Sequence, residues 1–383
     1  MNANERLILA AVRDRGAMDR AALAAAAGLP KTTVAGVVAR LLRDGVLAER
    51  TGAGGGRRGR RAGELTLAPR RDRIGVIAMS HGQVRAAVAG LDGAILARRD
   101  ATLADARDER EIIGRGLDRL AEAAAVAGAA PSRVVIGVPA PFERGVGVLT
   151  GPAPEPLRDG DLGALIDRLH SDPSGAAGER LGVPVTAEND ANLAVLGEAV
   201  FGAGRGLSAF VYVKVVEGLG AGLFLNGALY RGARGLAGEI GHVQVAEDGP
   251  WCRCGGRGCL LHRIRGSAHS YVASAYHKPV DFTDVLGLAS AGEAGTRRIL
   301  ADVGRRVGRV LADTATMLAP EAIVVDGALG AGTDAFLAGV REMLERHTAP
   351  VVAGAVRLLG GELGDAAEIL GAVALARGES IVT

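Results

Sequence analysis

Residues 216–259 read VEGLGAGLFLNGALYRGARGLAGEIGHVQVAEDGPWCRCGGRGC, and this stretch constrains the fold more than any other part of the chain. Its second half holds Gly241-His242, nine further residues, then Cys252-Arg253-Cys254-Gly255-Gly256-Arg257-Gly258-Cys259. These three cysteines are all that the chain contains, and they fall within eight residues. An odd, tightly spaced set in a chain with no secretory start points to metal rather than to disulfides. One imidazole and three thiolates complete a tetrahedral zinc site with no open position, so His242, Cys252, Cys254 and Cys259 predict a structural zinc rather than a catalytic one. The intervening glycines let the loop curl around the ion. In the first half, Gly218, Gly220 and Gly222 follow the apolar run Val211–Val216. Glycines so placed either let backbone approach a phosphate or make a tight hairpin, and the spacing alone leaves both open.

Outward from that stretch, apolar runs alternate with alanine-rich helical sequence. Strands are expected at Ile74–Ile77, Val84–Val88, Arg133–Val138, Val183–Ala187, Ala209–Val215 and Ala322–Val325. Leu91-Asp92-Gly93 reads as a turn, with helical sequence from there through Val126. The pattern predicts an α/β architecture. Directly after one strand stands Glu188-Asn189-Asp190-Ala191-Asn192. Asn189 and Asp190 at a strand's carboxyl end can hydrogen-bond hydroxyl groups, and such an aspartate can act as a general base. The same letters also serve as ordinary loop and helix-cap chemistry.

The amino-terminal part differs in charge. Residues 1–73 hold 15 Arg and Lys against 7 Asp and Glu, a net of +8, whereas the remainder holds 30 against 36, a net of −6. A basic head on an acidic body suits nucleic-acid binding. Apolar periodicity predicts helices at Asn4–Arg15, Arg20–Ala27 and Lys31–Arg43. Asp19 can cap the second, and Gly28-Leu29-Pro30 forces the turn before the third. Helix, tight turn, helix is the arrangement that lays a second helix in the major groove. Lys31, Thr32, Thr33 and Arg40 then form its DNA-facing surface. Val46–Glu49 and Glu64–Leu67 read as paired strands of a wing, with Arg57, Arg58, Arg60 and Arg61 between them for the minor groove or the phosphates. Gly36, inside the recognition helix, costs about 1 kcal/mol relative to alanine. No run approaches the roughly 20 apolar residues of a membrane span, and charges interrupt the first 30 residues, so neither a span nor a signal peptide is expected. A cytoplasmic protein follows from that reading.

Together these features resemble the ROK family (repressors, open reading frames, kinases). The run from Val216-Glu217-Gly218 through Gly227, Gly232, Gly235, Gly238-Glu239 and Gly241-His242 follows the family signature, as does the Cys-x-Cys-Gly-x-x-Gly-Cys loop. The resemblance implies an actin-like, hexokinase-like body of two α/β lobes behind an all-α plus wing (winged helix-turn-helix) domain. The head would span 1–72 and the body 73–383. Lobe one would take about 73–187 plus the C-terminal helix at about 366–383, and lobe two about 188–365. It further implies that Asn189, Asp190, Glu239 and His242 contact a sugar, with Asp190 at the position of the kinase base.

The departures from that family are informative. Kinases of the family carry an Asp-x-Gly-Gly-Thr phosphate loop where this chain has Ala78-Met79-Ser80-His81-Gly82-Gln83, so no aspartate is available to organise Mg²⁺. Glu217 stands where kinases place threonine, and a carboxylate there repels ATP phosphates. Pro139-Ala140-Pro141 replaces a Pro-Gly, Gly59-Arg60-Arg61 replaces the usual Gly-Arg-Pro of the wing, and Leu261 replaces a sugar-contacting glutamate. The expectation is therefore a non-enzymatic DNA-binding regulator, most simply a repressor. Its partners would be a double-stranded operator, a sugar or sugar derivative, and further copies of itself as a homodimer or homotetramer. The alternative is an ATP-dependent sugar kinase with an appended DNA-binding head.

Overall fold

The computed structural model describes residues 3–43, 47–51, 63–67, 73–80, 82–103, 109–139, 142–143, 147–148, 183–216, 218–252, 254–264 and 282–378. The chain divides into two compact units, Met1–Asp72 and Arg73–Thr383. No single helix among the described residues is long and apolar enough to cross a membrane.

In the first unit, helices α1 (Ala3–Arg15), α2 (Arg20–Ala27) and α3 (Lys31–Arg43) precede the antiparallel strands β1 (Leu47–Thr51) and β2 (Gly63–Leu67). Asp19 caps α2 by accepting from Ala22 N at 2.7 Å. Gly28 ends it with φ of 65°, a left-handed turn that a side chain resists. The apolar spacing read from the sequence has a physical destination. Ile8, Val12, Leu23, Val34, Val38 and Leu41 converge with Leu47 and Leu65 in one buried core. Met18 and Leu65 exchange backbone hydrogen bonds, which ties the strand pair to the α1–α2 connection.

The second unit has two sheets of the same topology. The first runs in the order β5 (Ile95–Thr102), β4 (Gln83–Gly90), β3 (Arg73–Met79), β6 (Arg133–Val138), β9 (Val185–Asn189). The second runs β12 (Ala228–Tyr230), β11 (Gly220–Leu225), β10 (Phe210–Lys214), β13 (Ala322–Val325), β14 (Arg357–Gly360). Each begins as an antiparallel meander of three strands and continues with two parallel ones. A two-residue pairing, β7 (Phe142–Glu143) with β8 (Gly147–Val148), lies between β6 and β9 in the chain. Helix α4 (Glu109–Ala127) covers the outer face of the first sheet. The outer face of the second is covered by α7 (Ala294–Leu318) and α8 (Thr333–His347), with α6 (Phe282–Ser290) and the short α9 (Pro350–Ala355) beside them.

Between the sheets lie α5 (Asp190–Phe201) and α10 (Ala367–Arg377). Both helices are buried along almost their whole length, so their apolar residues run continuously instead of in a stripe. Their mutual approach depends on glycine. A Cβ on Gly197 would sit 2.2 Å from the carbonyl oxygen of Ala367, and one on Gly371 would sit 1.7 Å from that of Leu193. This is the actin-like, hexokinase-like body of two α/β lobes.

Two expectations are corrected. The stretch after Gly93 is not helical through Val126: Ile95–Thr102 forms β5, and α4 starts at Glu109. This edge strand carries Arg98, Arg99 and Asp100, and its polar letters mask its periodicity. The strand expected at Val183–Ala187 is β9 at Val185–Asn189, because the pairing with β6 aligns Val138 with Asn189. Glu188 and Asn189 therefore belong to the strand, and α5 begins directly at Asp190.

Candidate functional site

The parallel strands of both sheets end at one cleft. Asn189 closes β9 and caps α5, its Oδ1 accepting from Asn192 N at 3.1 Å. Asp190 is the first residue of that helix, and its Oδ1 accepts from Ala191 N at 2.7 Å. The neighbouring Glu188 is fully buried and takes Arg231 Nε at 2.8 Å and Asn192 Nδ2 at 3.0 Å.

The glycine-rich run brings the remaining candidates alongside. Gly218–Gly222 runs from the β10–β11 connection into the start of β11, so the run forms a hairpin. A Cβ on Gly222 would meet Ala191 O at 2.5 Å, one on Gly238 would meet Ala221 O at 1.9 Å, and one on Gly241 would meet Leu219 O at 2.5 Å. Three backbone segments, the start of α5, the start of β11 and residues 238–242, thus stack with no side chain between them. That stacking places Asn189, Asp190, Glu239 and His242 on adjoining segments. Glu239 and His242 are both half-buried, at the start and end of the turn Ile240–His242.

The metal-ligand candidates converge. One donor atom each from His242, Cys252, Cys254 and Cys259 lies within 4.8 Å of the others. His242 Nδ1 is 3.5 Å from Cys252 Sγ, and Cys254 Sγ is 3.6 Å from Cys259 Sγ. Ligands of a tetrahedral zinc, at about 2.0–2.3 Å from the ion, stand about 3.3–3.8 Å apart, so the donor set fits such an ion. Bound there, zinc would be held by these four residues and would fix the loop. Burial raises the Cys254 thiol, but the Gly256 N–H and the neighbouring sulfurs outweigh it and hold it below the ordinary thiol value. Burial and the two other thiols push Cys259 up to about 12. The loop closes as a small hairpin: Gln244 bridges to Cys259 and Trp251 to Arg257, and the Arg257 guanidinium stacks 5.5 Å from the Trp251 ring centre. Leu261 is half-buried on the helical turn that follows Cys259.

Three charged groups that the sequence reading missed dominate the cleft floor. Lys214 Nζ donates to Asp190 Oδ2 at 2.7 Å and to Glu368 Oε1 at 2.5 Å. Burial works against the ammonium, but the two carboxylates outweigh it and lift Lys214 above the ordinary lysine range. Asp326, at the end of β13, accepts from Val215 N at 3.4 Å, Val216 N at 3.2 Å and Ala328 N at 3.0 Å. Burial raises the carboxyls of both Asp326 and Glu368 above their usual range. At the end of β3, Ser80 N donates to Gln83 O at 2.9 Å. A charged letter inside an apolar run was the available signal. Lys214 ends Phe-Val-Tyr-Val-Lys, and Glu368 opens the apolar run Ile369–Leu375.

On the first unit, Lys31 and Thr32 are exposed at the start of α3, Thr33 is half-buried, and Gly36 faces open space. Arg40, expected on the same DNA-facing surface, pairs with Glu5 of α1 at 2.7 Å and keeps its side chain 43% exposed. The wing residues Arg57, Arg58, Arg60 and Arg61, like His81 and Glu217, lie outside the described residues.

Residues 75–379 match the model of the ROK family. The chain belongs to the ROK family. Among its ROK relatives, the xylose repressor of Bacillus spizizenii is 32% identical over 193 residues, covering 50% of this chain and 50% of that protein. A glucokinase of Halalkalibacterium halodurans is 32% identical over 209 residues, covering 50% of this chain and 63% of that protein. The chain thus spans about half the length of the curated relatives it matches. A solved ROK-family transcriptional regulator, a homologue of the Escherichia coli MLC protein, superposes with a TM-score of 0.75 at 20% identity. That match covers 98% of this chain and 96% of the other, and it establishes the shared ROK fold.

Proposed function

We propose that this ROK protein is a cytoplasmic DNA-binding regulator, most simply a repressor. A sugar or sugar derivative bound in its cleft would control it without being turned over. The observation that carries the reading is the Lys214–Asp190 ion pair. A general base turns an oxygen onto the substrate hydroxyl, and here both oxygens of Asp190 are anchored, one by the Lys214 ammonium and the other by Ala191 N, which leaves its remaining lone pairs for accepting a sugar hydroxyl in place. The backbone amides after β10 are likewise spent on Asp326. A cleft that keeps its sugar-side residues but occupies its own catalytic groups is suited to binding rather than turnover. Asn189, Asp190, Glu239 and His242 would contact the sugar, and zinc on His242, Cys252, Cys254 and Cys259 would be structural.

The head supplies the output. Lys31, Thr32 and Thr33 would approach base edges, with Arg57, Arg58, Arg60 and Arg61 on phosphates or in the minor groove. A homodimer or homotetramer would read a two-fold operator, and the sugar would shift operator affinity by its differential affinity for the two conformations. The test is operator binding by fluorescence anisotropy across a salt series. Each phosphate contact contributes about −0.9 to the slope of log K against log salt, so replacing Arg58, Arg60 and Arg61 with alanine should flatten it by about 2–3. An unchanged slope removes the wing from the interface.

The identity to a glucokinase favours one second reading, an ATP-dependent sugar kinase with a DNA-binding head. Coupled measurement of ADP release with hexoses, pentoses and aminosugars separates the two. We expect no turnover above background, and turnover abolished by Asp190→Asn would establish the kinase.

A further inference from the structure

Beyond Asp190 the cleft floor holds a small cavity of about 30 Å³, room for little more than a water, whose walls come from both lobes. Its charged lining is Arg85, Lys214, Asp326, Asp365 and Glu368, with the Tyr212 ring beside them. Val216 and Ala328 complete the wall at the carboxyl ends of β10 and β13. Lys214, which lines this cavity, also bonds Asp190, so a sugar held at Asn189 and Asp190 would bring the hydroxyl nearest Asp190 beside it. Whatever that hydroxyl carries has to fit here.

We infer that the cavity selects an unphosphorylated sugar and rejects the phosphate ester of the same sugar, with Asp326 and Glu368 as the discriminating residues. This rests on the proposal that the cleft binds a sugar. Three observations carry it. First, the positive charge near the cavity is already committed. The Lys214 ammonium bridges Asp190 and Glu368, Arg85 lies close enough to Asp365 and Glu368 to lower both, and Arg98 pairs with Asp365 at 2.7 Å. Second, Asp326 already occupies the backbone amides of Val215, Val216 and Ala328, the donors that a phosphate would need. With Asp190, four carboxylates stand against Lys214, Arg85 and Arg98, and an added dianion would be repelled in a site of low dielectric. Third, the acceptor still open is suited to a hydroxyl. Glu368 is only 6% exposed, and its buried Oε2 has no hydrogen-bond partner. A neutral hydroxyl can donate to that oxygen, whereas a phosphate dianion offers no proton.

The test is isothermal titration calorimetry on the full chain with D-glucose, D-xylose and N-acetyl-D-glucosamine, each against its terminal phosphate ester. We expect at least one neutral sugar to bind about tenfold or more tightly than its ester, a difference of about 1.4 kcal/mol. In the chain carrying Asp326→Asn and Glu368→Gln, the ester should gain affinity and the preference should fall severalfold. An ester that binds wild type as tightly as its neutral sugar overturns the inference while leaving a sugar-binding cleft in place. A preference left unchanged by the double substitution overturns the role given to these two residues. Binding by no neutral sugar and no ester overturns the sugar-sensing proposal itself, and the inference with it.

Discussion

Replacing Lys214 with methionine is expected to destabilise the body by about 3–5 kcal/mol, the range for removing one partner of a buried ion pair. Methionine conserves volume and removes only the ammonium, which leaves Asp190 and Glu368 without their bridging cation and with only Arg85 acting on Glu368. The loss should depend on pH, and its sign follows from the carboxyl side. Burial already raises Glu368, with Lys214 as the chief opposing influence, so removing Lys214 raises it further. A carboxyl with a raised folded-state pKa holds more protons folded than unfolded, so stability falls as pH rises through that value. The gap between wild type and Lys214→Met should therefore be widest at neutral and alkaline pH. It should narrow as pH approaches the ordinary carboxylate range. Urea unfolding across a pH series reads this directly. Combining Lys214→Met with Asp190→Asn and Glu368→Gln should recover most of the loss, since no buried charge is then stranded. A single substitution that costs under about 1 kcal/mol, the value of an exposed pair, would show that water reaches these groups.

Metal removal should have the other large effect. Cys252 and Cys259 are buried, and Leu260 and Ile264, just after the last ligand, belong to the core beneath the second sheet. Loosening the loop therefore exposes core as well as ligands. Chelation is expected to lower the calorimetric Tm by about 10 °C. This assumes about 4 kcal/mol from an ion held near a thousand times its Kd and about 2–4 °C per kcal/mol in a domain of this size. Restoring zinc should restore Tm, and Cys259→Ser should lower both Tm and metal content. A chelated protein with an unchanged Tm would mean that the loop is held by its hairpin contacts alone.

Much of this was legible in the letters, for physical reasons that vary by element. The cap at Asp19, the turn at Gly28 and the helices of the head are local, so spacing alone located them. The metal cluster was equally legible because ligand chemistry admits few residue types and the spacing is short. What escaped is non-local. Lys214 and Glu368 are 154 positions apart, and neither has a partner nearby in sequence that would reveal a pair. Strand β5 escaped because an edge strand with one exposed face can carry arginine and aspartate in place of alternating apolar residues. The pairing of Arg40 with Glu5 on another helix is equally non-local, since the two are 35 positions apart.

The helix pair between the sheets sets an order of events during synthesis. The first sheet begins at Arg73, yet α10, which covers its inner face, starts only at Ala367. At about 5–20 residues per second, the ribosome needs roughly 15–60 s to make the chain between them. Throughout that interval the apolar inner face of the first sheet has at most α5 against it, while the head, whose contacts are all short in sequence, is already able to fold. The proposed reader of DNA would thus be finished well before the cleft proposed to govern it. A nascent or truncated chain in this state would carry an ungoverned head and an exposed apolar face of the kind that chaperones bind.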